Sequence, residues 1–247
     1  MLELKNVSFQ VPDQVPDGQS GKEIIRDLSL TIPDGRLIAV TGPNGGGKST
    51  MAKLIAGIEK PTAGRILLNG EDVTELGVTE RARRGIGFAF QQPVRFKGIR
   101  VLDLIRFAAG KSISVSEACV YLSSVGLCAR DYVDREVNAS LSGGELKRIE
   151  IATVLARGSS LSVFDEPEAG IDLWSFRNLI EVFEHMREKM RERSILIISH
   201  QERILEIADE IAVLRDGVLE KSGPREEILP SLIGTAAAVA DCPKLDF

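Results

Sequence analysis

The sequence has few cysteines and histidines and no long apolar run. Its three cysteines, Cys119, Cys128 and Cys242, include no C-x-x-C pair, which argues against a disulfide framework and a cysteine-based zinc site. We interpret all three as structural residues of a protein from a reducing compartment. No apolar stretch approaches the roughly 20 residues of a membrane-spanning helix, and the N-terminal MLELKNVSFQ lacks the apolar core of a signal peptide. We therefore expect a cytoplasmic chain that reaches the inner face of a membrane only through a partner.

Basic residues are not in excess either, because 31 lysines and arginines stand against 36 aspartates and glutamates and give a net charge of −5. A protein that grips nucleic acid through its overall charge would carry the opposite balance. We therefore expect no nucleic-acid partner. What the sequence does have is 43% hydrophobic residues over 247 positions, which is enough to bury a full core.

Short apolar runs separated by helical segments predict an α/β fold. LSVFDE, SILIISH and IAVLRDG alternate with helical segments, and this alternation implies a mostly parallel sheet. At the N-terminus, LELKNVSF and IIRDLSLTI flank VPDQVPDGQSGK, which predicts two antiparallel strands joined by an exposed loop. VLDLIRFAAG and SEACVYLSSVGL predict short helices. A longer helix is predicted over residues 173–193, with a core stripe at helical spacing formed by Leu179, Phe183, Met186 and Met190.

The stretch GPNGGGKST lies between the apolar LIAVT and the helical MAKLIAGI and fits the pattern G-x-x-x-x-G-K-[ST]. Such a loop turns its backbone amides inward around phosphate groups, with Lys48 reaching the β- and γ-phosphates and the Ser49 hydroxyl on Mg²⁺. A glycine-rich turn that binds nothing would not require Lys-Ser at its end. The predicted phosphate-binding residues are Gly42, Pro43, Asn44, Gly45, Gly46, Gly47, Lys48, Ser49 and Thr50.

Further along the chain, an acidic pair ends the apolar strand of SLSVFDEPEAGID. Asp165 is predicted to hold the magnesium beside the phosphate loop, and Glu166 to orient or deprotonate an attacking water. His200 ends the strand SILIISH, at a sheet edge that should face the γ-phosphate. A satisfied structural histidine is the alternative interpretation of His200.

The stretch LSGGELKRIEI carries two glycines at the start of a predicted helix. Ser142 and Glu145 have the spacing of a capping box, in which each side chain bonds a free amide of the first turn. Glycine weakens a helix by roughly 1 kcal/mol relative to alanine, so Gly143 and Gly144 call for a reason. Bare backbone at a helix N-terminus lets an anion come close, and we predict an anion site here.

With the phosphate loop, LSGGE, the strand ending in Asp-Glu, AGID and the terminal His in this order, the chain resembles an ABC-class ATPase over nearly its whole length. The resemblance implies ATP and Mg²⁺ as ligands. It implies a P-loop NTPase core with a mostly parallel sheet, an N-terminal antiparallel β sub-domain and a small inserted helical sub-domain. The chain would be a single ATPase domain, residues 1–247. Residues 1–91 and 141–247 would form the nucleotide-binding core with the β sub-domain, and about 92–140 the helical sub-domain.

The resemblance also implies further site residues. Gln91, in FAFQQ, matches the glutamine that couples the metal and the water to the helical insert, and Gln92 is the neighbouring choice. Asp172, in AGID, matches a dimer-contact loop. The LSGGE helix would close on the ATP of a second subunit, where Ser142 and the amides of residues 143–144 meet the γ-phosphate. A second ATPase subunit is therefore the expected partner.

Within this class, SGGELKRIEI, FAFQQPVRFKGI and ISHQERILEIADEIAVLRDGVLEKSG resemble the SufC-type ATPase of iron–sulfur cluster assembly. That type works on soluble Suf-type scaffold proteins. The alternative is the ATP-binding subunit of a membrane transporter, whose partners are transmembrane permease subunits. Many transporter subunits place an adenine-stacking aromatic where this chain has Val11; Phe9 is either a substitute or a core residue.

Overall fold

The computed structural model describes residues 1–11, 21–138, 140–189 and 193–239. In these residues, strands and helices form an α/β fold with two sheets, as predicted. The strands are β1 (Leu2–Val11), β2 (Lys22–Ile32), β3 (Leu37–Thr41), β4 (Ala63–Leu68), β5 (Glu71–Asp72), β6 (Ile86–Ala89), β7 (Leu161–Asp165), β8 (Ser194–Ile198), β9 (Glu210–Arg215) and β10 (Val218–Pro224). The helices are α1 (Lys48–Ala56), α2 (Val78–Arg83), α3 (Val101–Ala109), α4 (Val115–Ser124), α5 (Ala129–Tyr132), α6 (Gly143–Arg157), α7 (Leu173–Lys189), α8 (Glu202–Ile207) and α9 (Arg225–Val239).

The larger sheet has the strand order β10-β9-β3-β8-β7-β6. All of its neighbouring strands run parallel except β9 and β10, which are antiparallel. The predicted parallel sheet is therefore confirmed. Because parallel strands place their carboxyl ends at one edge, the segments that follow β3, β6, β7 and β8 meet there.

The central strands of this sheet are apolar because helices or a second sheet cover both of their faces. Every residue of β3 is buried. Leu37 and Ala39 belong to one hydrophobic core, formed with α3, α4, α6 and α7. Ile38 and Val40 alternate with them and belong to a second core, formed with α1 and the smaller sheet. Alternate side chains of β3 are thus buried in the two cores, and this fixes the strand that leads into the phosphate loop.

The smaller sheet is antiparallel, with the order β2-β1-β4-β5. It confirms the predicted pairing of the first two strands, with Leu4 opposite Leu30. The loop predicted between these strands lies mostly outside the described residues. Phe9 is half-buried and packs against the second core, which agrees with its interpretation as a core residue.

The helix at residues 173–193 is observed over Leu173–Lys189. Leu179, Phe183 and Met186 are buried in the first core, as predicted for the stripe, whereas Met190 lies outside the described residues. Cys119 is half-buried and Cys128 exposed, both with free thiols, and Cys242 is also outside. Among the described residues, no helix is long and apolar enough to cross a membrane.

Candidate active site

The predicted phosphate loop joins β3 to α1 and lies close against the neighbouring strands. Gly42 has a φ of 132°, and a Cβ there would stand 1.9 Å from the carbonyl oxygen of Leu214. Gly47 has a φ of 96°, and its Cβ would stand 2.6 Å from a side-chain carbon of Ile25. Both positions thus require glycine for conformation and for space. Gly45 is different, because a Cβ there would meet nothing within 4 Å on this chain.

Lys48 begins α1 and folds its side chain over this loop. Its Nζ donates hydrogen bonds to the carbonyl oxygens of Gly42 at 2.8 Å and of Pro43 at 2.9 Å. Burial lowers the pKa of Lys48, while the carboxylates of Glu166 and Asp165 act in the opposite direction. The ammonium group is therefore held against the loop, between the loop carbonyls and the acidic pair.

Ser49 and Asp165 meet across the edge of the sheet. The Ser49 hydroxyl donates a 3.0 Å hydrogen bond to Asp165 Oδ1. Burial raises the pKa of Asp165, and the nearby charge of Glu166 raises it further, whereas the Ser49 bond lowers it. A buried carboxyl group whose charge is disfavoured in this way gains from a cation nearby. Thr50, the next residue of the predicted loop set, is half-buried in the first turn of α1.

Glu166 follows directly and has the left-handed backbone conformation, with φ of 45°. Such a conformation is unfavourable for a non-glycine residue and concentrates at functional sites. The backbone amide of Glu166 donates to the carbonyl oxygen of Ile198 on β8 at 3.0 Å, which holds the conformation in place. Its carboxylate then receives a 2.6 Å hydrogen bond from Gln91 Nε2.

His200 stands on the other side of the same carboxylate. Its Nε2 is 3.9 Å from Glu166 Oε1, and its side chain is 39% exposed. Burial and the charge of Lys48 lower the pKa of His200, whereas Glu166 raises it. The lowered pKa favours the neutral imidazole, which carries one N–H donor and one acceptor nitrogen. Gln91, Glu166 and His200 thus meet at the ends of three adjacent strands, and Gln91 rather than Gln92 makes the contact.

Sequence reasoning missed Glu168, which ties two of these strand ends together. The Ser199 hydroxyl donates to one oxygen of Glu168. The other oxygen is buried and has no hydrogen-bond partner in the described part of the chain. Burial raises the pKa of this carboxyl group, and the charge of Glu166 raises it further. The contact with Ser199 crosses 31 positions of sequence, so no local pattern could have pointed to it.

The predicted capping box at the start of α6 is present. Ser142 Oγ accepts from the amide of Glu145 at 3.2 Å, and Glu145 accepts from the amide of Ser142 at 2.6 Å. A Cβ on Gly144 would meet nothing within 4 Å, and one on Gly143 only the carbonyl oxygen of Gly170 at 4.0 Å. Packing within the described chain therefore does not explain either glycine, and the backbone of this turn is open to a ligand.

Asp172 immediately precedes α7, and its side chain bonds to the first turn of that helix. Its carboxylate accepts from the amide of Ser175 at 3.0 Å and from the hydroxyl of Ser175 at 2.7 Å. The residue is exposed, at the end of the segment that leads away from Glu166. This placement leaves the predicted dimer-contact loop on the surface, next to the candidate site.

These side chains also fit a magnesium ion. Ser49, Asp165 and Gln91 offer a hydroxyl, a carboxylate and an amide oxygen, which are the hard oxygen donors that Mg²⁺ prefers. No group of three or more His, Cys, Asp or Glu residues suited to a metal occurs in the described ranges. Mg²⁺ does not need such a group, because it is usually held by one or two carboxylates together with substrate phosphates.

Residues 25–169 match the family described as ABC transporter. The chain belongs to this family. It is an ABC ATPase, an ATP-binding and ATP-hydrolysing cassette, and the match includes the phosphate loop, the LSGGE helix and the acidic pair.

Curated relatives agree with this assignment. The ABC ATPase is 38% identical to an uncharacterized ABC transporter ATP-binding protein of Methanocaldococcus jannaschii, over 85% of this chain and 86% of that protein. It is 32% identical to the sulfate/thiosulfate import ATP-binding protein CysA of Synechocystis, over 83% of this chain and 57% of that protein. Among solved structures, a dimeric ATP-binding cassette in a post-hydrolysis state bound to ADP and Pi has a TM-score of 0.80 at 24% identity, and covers 91% of this chain and 99% of that one. The predicted fold class is thereby confirmed.

Proposed function

We propose that this cassette hydrolyses ATP in a dimer with a second ATPase subunit and drives a conformational change in a transmembrane permease. The observation that carries the dimer is the bare turn at Gly143 and Gly144, which has open space in place of packing within the described chain. A helix N-terminus with free amides suits the γ-phosphate of an ATP held by another subunit. ATP then lies between two subunits, and its hydrolysis releases them.

In this proposal the phosphate loop, residues 42–50, binds the ATP phosphates, and Lys48 neutralises charge on the β- and γ-phosphates. A bound Mg²⁺ would be held by Ser49, Asp165 and Gln91 and would offset the negative charge of the ATP phosphates. Glu166 accepts the proton of the attacking water. His200 contacts the γ-phosphate of the same ATP, and Asp172 of each subunit contacts the other at the dimer interface.

A partner site is supported by an apolar surface beside Gln91, which we call the aromatic surface and define by Phe90, Val94 and Phe107. Their side chains are 42%, 47% and 71% exposed. They border a cavity of about 210 Å³ between β6, α3 and α6. Contiguous exposed apolar groups mark interaction sites. We assign this surface to a permease subunit, because relatives such as CysA are named as import ATP-binding proteins. The cassette would then sit at the inner face of the membrane.

A second candidate is the SufC-like role, in which a soluble scaffold complex replaces the permease. The observation that favours it is the sequence SGGELKRIEI, which departs from the Gln-Arg-rich run of many transporter subunits. Two residues of this segment, Lys147 and Glu150, make polar contacts to the backbone of Phe90. The residues that distinguish SGGELKRIEI from the Gln-Arg-rich run therefore make structural contacts beside the aromatic surface, where the partner would bind.

The test is affinity capture of the cassette from both soluble and detergent-extracted fractions, followed by mass spectrometry. Phe107→Asp alters the aromatic surface, and Val120→Asp is the matched control, because Val120 is 61% exposed on a different helix, α4. Capture of a polytopic protein that Phe107→Asp loses and Val120→Asp keeps supports the permease. A soluble partner pair with the same response supports the SufC-like candidate. A partner that both variants retain would contradict the docking site.

A further inference from the structure

Two side chains of the LSGGE helix form hydrogen bonds to the backbone just after β6. Phe90 follows β6, and both of its backbone polar groups bond to α6. Its amide donates to Glu150 Oε1 at 2.8 Å, and its carbonyl oxygen accepts from Lys147 Nζ. Lys147 Nζ also lies 3.5 Å from the carbonyl oxygen of Gln91. We call Lys147 and Glu150 the clamp.

The clamp lies mostly out of solvent, with Lys147 buried and Glu150 partly buried, although it consists of two charged groups. The Lys147 side chain has 0% exposure and the Glu150 side chain 13%, and their charged atoms are 3.2 Å apart. Burial raises the pKa of Glu150, and the Lys147 charge counteracts this. Buried ion pairs are poor sources of stability, because desolvation offsets their attraction. We therefore interpret Lys147 and Glu150 as groups that fix the position of the Phe90 backbone, and not as a source of stability for the fold.

The position that the clamp controls is that of Gln91. Gln91 is the next residue after Phe90 and donates its 2.6 Å hydrogen bond to Glu166. At the other end, Lys147 is four residues after Gly143 on the same face of a continuous helix. One rigid element therefore connects the turn that would receive the second subunit's ATP with the glutamine that contacts this subunit's own Glu166.

We propose that Lys147 and Glu150 position Gln91 against Glu166 and make the placement of this glutamine depend on the LSGGE helix. When the dimer closes and α6 is displaced, Phe90 moves with it. Gln91 then moves relative to Glu166 of the same subunit. The inference rests on the catalytic roles proposed above for Gln91 and Glu166. The two clamp residues are positioning residues, since neither touches Glu166.

The test compares the clamp variant Lys147→Met/Glu150→Leu with the parental protein and with the same double change in a Gln91→Ala background. Removing both charges avoids leaving one member of the Lys147–Glu150 pair as an unpaired charge. Arg157→Met is the control, because Arg157 lies at the far end of α6 and bonds to Ala82. The measurements are kcat and KM for ATP hydrolysis, the Kd of ATP for the monomer, and the melting temperature.

We expect the clamp variant to lower kcat by about 10- to 100-fold, the cost of a small misplacement at a reacting centre, with the monomer's Kd unchanged. In the Gln91→Ala background the same change should cost nothing further, because residues that act as one unit are not additive. Where the double variant does not fold, Glu150→Leu is compared with Glu150→Gln. Both leave Lys147 without its counter-charge, but only Glu150→Gln keeps an acceptor for the Phe90 amide, so we expect Glu150→Leu to have the lower kcat. Equal kcat values would contradict the inference.

Three further results would overturn the inference. An equal loss of kcat in both backgrounds would mean that the clamp acts on something other than Gln91. If the clamp variant had the parental kcat while Gln91→Ala was impaired, Gln91 would act in hydrolysis but the clamp would not position it. A fully active Gln91→Ala would instead remove the proposed role of the glutamine, and the inference with it.

Discussion

Gln91 donates a 2.6 Å hydrogen bond to the carboxylate of Glu166, although the two residues are 75 positions apart in the sequence. The bond leaves the carboxylate able to accept a proton from a water on its other side, where His200 stands 3.9 Å away. The backbone of Glu166 is left-handed, and its carboxylate lies close to both side chains. This relationship defines the candidate reaction centre.

The role of Glu166 as the base predicts a trapped complex. Glu166→Gln should bind ATP as the parental protein does and hydrolyse it about 100- to 10,000-fold more slowly, the usual contribution of a general base. The ATP-bound dimer should then accumulate, and size-exclusion chromatography with and without ATP measures it. Turnover by Glu166→Gln at the parental rate would show that another group takes the proton.

The stability of the phosphate-loop helix depends on Arg81, which is fully buried. Its guanidinium group donates to the carbonyl oxygens of Leu54 and Ile55 at the end of α1, and to those of Thr74 and Leu76. Arg81→Met removes the guanidinium donor from all four oxygens, of which that of Leu54 also accepts from the amide of Gly57 at 3.2 Å. The substitution should lower the free energy of unfolding by about 3 kcal/mol.

Urea denaturation of Arg81→Met checks this value. The exposed Arg83 is on the same helix, α2, and Arg83→Met should change the free energy of unfolding by less than about 0.5 kcal/mol. Equal effects of the two substitutions would contradict the assignment.

The buried carboxyl group of Glu168 predicts a pH-dependent effect on stability. Because burial raises its pKa above the usual 4.5, the folded protein binds this proton more tightly than the unfolded chain does. The protonated Glu168 carboxyl group therefore makes its full contribution to the free energy of unfolding below pH 4.5. This contribution is lost as the pH rises through the raised pKa. Glu168→Gln carries no charge at any pH.

We therefore expect Glu168→Gln to melt at a higher temperature than the parental protein at pH 8, with a difference that shrinks as the pH falls toward 4.5. Thermal melts over this pH range provide the measurement. Glu202→Gln, at an exposed position on α8, is the control and should show no such trend. A difference for Glu168→Gln that stays constant with pH would mean that the carboxyl group is charged in the folded protein.

The sequence predicted the parts of the site that depend on local pattern. The phosphate loop needs its glycines for backbone conformation, and the Ser142–Glu145 box involves residues only three apart, so both could be read from neighbouring residues. Parallel strands could be read because they are buried on both faces. The contacts of Arg81 with the end of α1 and of Glu168 with Ser199 were missed, since these partners are 26 to 27 and 31 positions away. Gln91 was predicted from its place after the strand in FAFQQ, and its hydrogen bond to Glu166 distinguishes it from Gln92.

The open turn at Ser142 predicts a defect that spares nucleotide binding. Ser142→Arg places a long charged side chain where the second subunit's ATP would lie, and it should abolish hydrolysis. The Kd of ATP for the monomer should remain unchanged, because Ser142 bonds to Glu145 and not to the phosphate loop. Equilibrium titration of the monomer with a fluorescent ATP analogue measures this, and weakened binding would place Ser142 in its own subunit's site.

The most direct test of the ATP-bridged dimer is to mix two inactive proteins, Ser142→Arg and Lys48→Ala. Lys48→Ala should lose ATP binding and keep its LSGGE turn, whereas Ser142→Arg keeps its phosphate loop. A mixed dimer therefore contains one complete site, formed by the phosphate loop of the Ser142→Arg subunit and the turn of the other. We predict that the mixture hydrolyses ATP well above the sum of the two proteins measured alone. A mixture as inactive as its components would contradict a site shared between subunits.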